Sequence, residues 1–97
     1  MMTTEKSNFI EEVEKRIDNR NGEIAKFRVI AEVADPDDQI KFYQIIEEIV
    51  NKENAVKEKL DDFAKSEKDN LEVLKNEITA LQRRVEWAIE EARVKVN

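Results

Sequence analysis

The chain reads as an all-α protein, an antiparallel coiled-coil helical bundle. Apolar residues recur at alternating spacings of three and four, charged residues make up 41% beside 40% hydrophobic ones, and glycine and proline occur once each. The three-four spacing collects apolar side chains on one helix face. The balance of charge and apolarity belongs to long amphipathic helices, since a disordered acidic tail lacks the apolar half. So few turn residues leave a hairpin-rich sheet without corners. The 97 residues amount to a single elongated domain, short enough that association with a second copy is expected to complete its core.

The first helix is expected over about residues 5–34. Its seam runs Ile10, Val13, Ile17, Arg20, Ile24, Phe27, Ala31 and Ala34, a heptad broken only by the arginine. Ser7 or Thr4 can cap its start, and Glu11 and Glu12 suit the positive end of its dipole. Proline disfavours helical geometry in the residue before it, so the helix stops at Asp35-Pro36, with Asp35 as N-cap of the next.

A long second helix is expected over about residues 36–96, with a stutter or break near 65–70. Phe42, Ile46, Ile49, Glu53, Val56, Leu60, Phe63 and Glu67 hold one register, and Leu71, Leu74, Ile78, Leu81, Val85, Ala88 and Ala92 hold another. The displacement equals a four-residue insertion. With neither glycine nor proline between Lys65 and Asn70, one continuous helix is the expected form, about 90 Å long and paired in an antiparallel, domain-swapped dimer. The alternative is a turn near Lys68, with Ser66 or Asp69 as cap, closing a three-helix bundle within one chain. In either form Trp87 comes near Ile49 and Val94 near Phe42.

Phe9-Ile10 with Val13 and Ile17, Asn21-Gly22-Glu23-Ile24, Phe42 with Ile46-Glu47-Glu48-Ile49, and Lys57-Glu58-Lys59-Leu60 together resemble a family of short acidic bacterial coiled-coil proteins labelled stress-response. The resemblance covers nearly the whole chain and implies the helical fold and a stress setting. It brings no catalytic residues with it. Arg20, Leu71 and Gln82 stand where that family often carries tryptophan, and Lys68 where it often has glycine.

A net charge of −6 repels nucleic-acid phosphates and anionic lipid, so neither is an expected partner. Without cysteine or histidine the chain has no thiol, no disulfide and no imidazole base, and no catalytic residue is assigned. Carboxylate pairs such as Glu47-Glu48 and Glu90-Glu91 read as solvated faces; a metal-binding bundle is the least favoured function, and no metal or cofactor is expected. Arg83-Arg84 is expected to pair with Glu77, Glu86 or Glu90. No apolar run is long enough to cross a bilayer and the start is polar, so a cytoplasmic location is expected.

Two sets of residues are candidates for function. Folding about Asp35-Pro36 brings Arg20 close to Glu53, where they either pair in the core and set its register or reach past the seam to water. Apolar residues outside the seams form the second set: Ile30 and Val33, Tyr43 and Ile45, then Val73, Trp87, Ile89 and Val94. A helix apolar on several sides is packed on several sides. The expected function is therefore that of a non-catalytic structural or interaction protein, self-associating as a dimer. The alternative is a monomeric adaptor that holds an amphipathic helix of another protein, with Trp87 as anchor.

Overall fold

The computed structural model describes residues 2–96 and is all-α. Three long helices follow one another: α1 over Met2–Glu32, α2 over Pro36–Lys65 and α3 over Leu71–Val96, with a single 3-10 turn at Lys68–Asn70 before the last. They pack antiparallel, up, down and up, into a rod measuring 53 × 18 × 17 Å. That length excludes a continuous helix of about 90 Å. The expectation of one unbroken second helix is therefore corrected, and the chain is a three-helix bundle.

The break needs no glycine. Ser66 (φ −79°, ψ 153°) and Glu67 (φ −88°, ψ 168°) take extended geometry, which any L-residue adopts without strain. Ser66 Oγ donates back to the Asp62 carbonyl at 2.6 Å, and Lys6 Nζ at the start of α1 donates to the Ser66 carbonyl at 2.9 Å. These bonds satisfy carbonyls that the end of α2 would otherwise leave open. Neither Ser66 nor Asp69 caps α3; Glu67 occupies the cap position of the 3-10 turn without a side-chain bond. Phe9 and Phe63 rings meet beside the turn at 4.9 Å, with Lys75 Nζ 5.4 Å from the Phe9 centroid. Glu67, expected in the core, is exposed. At the last turn of α2 the Lys65 ammonium bonds Asp61 at 2.9 Å. That hydrogen bond holds its pKa above the ordinary 10.5, so any stabilisation from this exposed pair is full below 10.5 and fades as pH rises through the raised value.

The other connection follows expectation at Pro36 and departs from it in detail. The α1 helix ends at Glu32, and Asp35 is the N-cap of α2, but its carboxylate makes no capping bond. Its carbonyl takes the Gln39 amide at 2.7 Å. The Gln39 side chain instead reaches back to cap α1, donating to the Ala31 carbonyl at 3.0 Å. Thr4 and Ser7 lie inside α1, which starts at Met2, so neither is its cap.

In α1 and α2 the core is the seam written in the sequence. Val13, Ile17, Ile24, Phe27 and Ala31 of α1 meet Ile46, Ile49, Val56, Leu60 and Phe63 of α2, and Ile78, Val85, Ile89 and Ala92 of α3 close the third side. Gly22 sits inside α1 with nothing within 4 Å of where a Cβ would stand. Gly22→Ala is therefore expected to raise unfolding free energy by about 0.5–1 kcal/mol in a urea titration, because alanine loses less backbone entropy in a helix. No change, or a loss, would mean that the position has a role the packing does not reveal.

Candidate functional site

Midway along the rod each helix contributes one polar side chain to the otherwise apolar core. Arg20 of α1, Glu53 of α2 and Gln82 of α3 are 4%, 1% and 5% exposed. Arg20 Nε donates to Glu53 Oε2 at 2.7 Å, its Nη2 to Glu53 Oε1 at 2.8 Å, and its Nη1 to Gln82 Oε1 at 3.0 Å. The arginine fork thus clamps both carboxylate oxygens, the geometry that guanidinium favours. Glu86 lies at the edge of the layer, 3.6 Å from Arg20 Nη1. Among the described residues no buried side-chain nitrogen or oxygen lacks a partner, so the layer meets the condition under which charge is tolerated in a core.

Arg20 and Glu53 are brought together inside the core, as the fold about Pro36 predicted. Gln82 was missed. The α3 register read from sequence ran through Leu81 and Ala88, which are only partly buried, whereas the buried line runs Ile78, Gln82, Val85, Ile89, Ala92. Both lines share Ile78, Val85 and Ala92. The signal was available: a second four-three series from Ile78 to Ala92 carries its one polar residue, Gln82, where Arg20 needs an acceptor.

The same shift corrects the apolar candidates. Ile89 is not surface at all but core, at 3% exposed. Ile30 and Ile45 are half-buried against the core. Val33, Tyr43, Val73, Trp87 and Val94 are exposed, Trp87 at 65% and Val94 at 80%. Matching about the turn does put Trp87 on the same groove as Ile49, a recess of about 320 Å³ between α2 and α3 that Ile45, Ala88 and Ala92 also line. The expected mutual covering does not follow, since Trp87 and Val94 stay open. The reason is angular: once Gln82 and Ile89 point to the core, the line through Val73, Ala80, Trp87 and Val94 turns outward.

Charge on the surface also differs from expectation. Glu77 pairs with Lys59 at 3.1 Å, and Glu86 faces Arg16 and Arg20. Neither Arg83 nor Arg84 pairs with them, and among the described residues neither arginine makes any ion pair. Among the described residues no group of three or more potential metal ligands converges, and no helix is long and apolar enough to cross a membrane.

No family model matches the chain, and neither a curated protein nor a solved structure matches it.

Proposed function

We propose that the protein is a non-catalytic structural or interaction module of the cytoplasm that works as a homodimer. The stress setting is the one implied by its resemblance to the acidic coiled-coil family. The observation that carries this reading is the contrast between its two surfaces. Inside, even the charged layer leaves no buried side-chain nitrogen or oxygen without a partner among the described residues. Outside, Trp87 and Val94 stay open, Trp87 on the rim of a groove whose apolar floor of Ile45, Ile49, Ala88 and Ala92 is flanked by charged side chains. A tryptophan held rigidly on a helix costs little entropy to bury and provides much area, which is why such residues anchor interfaces.

The Arg20, Glu53 and Gln82 layer has a part in this function. It fixes the register of the three helices, so that the outward face is presented in one arrangement only.

Association linked to folding makes the melting temperature depend on concentration. Melting followed by circular dichroism is therefore expected to rise by several degrees over about a hundredfold increase in protein, with light scattering giving twice the chain mass. A constant melting temperature and the single-chain mass of 11.4 kDa would remove the dimer. If such a monomer also binds an apolar dye, the adaptor reading takes its place, with the Trp87 groove receiving an amphipathic helix.

A further inference from the structure

The outward face of α3 carries a charge order that is its own complement. Trp87 stands at its centre, Arg83-Arg84 come about one turn before it, Glu90-Glu91 about one turn after it, and Ala80 and Val94 lie at equal distances on either side. All seven residues are exposed. Arg83, Arg84, Glu90 and Glu91 make no ion pair among the described residues, although Glu77, Glu86 and Arg93 around them all do. Within one helix the arginines and glutamates are two turns apart, too far to pair with each other.

We infer that this face docks antiparallel on the same face of a second copy, with the two-fold axis passing beside Trp87. The inference rests on the self-association proposed above and adds the surface and its orientation. Antiparallel pairing sets Trp87 against the partner's Trp87, Ala80 against the partner's Val94, Arg83 against the partner's Glu90 and Arg84 against the partner's Glu91. A two-fold of this kind turns each flank of the helix toward the same flank of the other copy. The pairs respect that rule: Arg84 and Glu91 both lie on the α2 side with Trp87, and Arg83 and Glu90 on the α1 side. Parallel pairing would instead set arginine on arginine and glutamate on glutamate. Trp87 supplies the apolar anchor, and the charges choose the partner and its direction.

Charge exchange tests the arrangement. R83E/R84E and E90R/E91R each place like charges across the axis, and each variant alone is expected to dimerise at least about a hundredfold more weakly than the native chain. Mixed in equal amounts they form a heterodimer, because one copy is then wholly acidic at these positions and the other wholly basic. The combined variant R83E/R84E/E90R/E91R is self-complementary again and is expected to dimerise within about tenfold of the native protein. Sedimentation equilibrium reads the masses, emission from the chain's single tryptophan moves to shorter wavelength as it is buried, and circular dichroism verifies that each variant is folded. A native chain that is monomeric throughout the dilution defeats the self-association itself. A native dimer indifferent to both charge variants keeps the self-association and overturns this face. Dissociation of the single-sign variants without recovery in the mixture or the combined variant overturns the antiparallel register.

Discussion

Glu53→Leu is expected to lower the unfolding free energy by about 3–5 kcal/mol, the usual effect of stranding one member of a buried ion pair. The leucine fills the space well enough; the loss comes from Arg20, which keeps its charge at 4% exposure with only the Gln82 oxygen as close acceptor. Glu86 at 3.6 Å is half in water and compensates little. Arg20→Leu should have a similar effect by freeing the carboxylate. Replacing Arg20, Glu53 and Gln82 together by leucine or methionine is expected to recover the loss, or to exceed the native stability, because no charge is then desolvated. The measurement is a double-mutant cycle in urea on Glu53→Leu, Arg20→Leu and the two combined: single losses much larger than that of the pair demonstrate the coupling. Single losses under about 1 kcal/mol would show that water reaches the layer. The register role is separate, and the same leucine-filled variant tests it. A uniquely packed protein of unchanged size, with sharp side-chain resonances, would count against it, whereas a stable but heterogeneous one supports it.

Ile78→Asp is expected to abolish folding. Ile78 is wholly buried in the core, and its removal forfeits about 1.5–3 kcal/mol of apolar burial. The carboxylate that replaces it adds several kcal/mol more, since it puts a charge into the apolar core. A domain of this size has about 5–15 kcal/mol in all, so the two losses together reach the whole of it. Circular dichroism should show lost helix at room temperature, and size exclusion should show an expanded chain. Asn76→Asp provides the contrast. It changes an exposed position on the same helix, and its effect should stay within about 0.5 kcal/mol. A folded, native-like Ile78→Asp protein would mean that α3 is not docked as described.

How far the fold was legible differs from helix to helix. In α1 and α2 the seam read from spacing is the seam that is buried, from Val13 to Ala31 and from Ile46 to Phe63, because each helix carries one dominant apolar line. In α3 two lines compete, since apolar residues cover more than half of its circumference. Spacing alone cannot rank two heptads that share Ile78, Val85 and Ala92; the partner surfaces rank them, and Arg20 needed Gln82. The register change near Lys68 was visible and its cause was not. A stutter in one helix and a junction between two helices leave the same trace in the pattern of apolar residues.

By itself, then, the sequence determined what local chemistry can enforce. It set the helical class, the stop before Pro36 and the seams of α1 and α2, because periodicity and backbone geometry act within a few residues of each position. It brought Arg20 level with Glu53 but left open whether they pair in the core or reach past it to water, and the packing decided that. Tertiary structure decided the rest. Ser66 and Glu67 leave the helix because a folded-back α3 buries Ile78, Val85, Ile89 and Ala92 within the chain, a gain no local preference expresses. That docking rotates α3 until Ile89 and Gln82 face inward and Trp87 and Val94 outward. Which apolar residues remain as surface depends on how the three helices are turned against one another, and that rotation follows from the summed packing of all three.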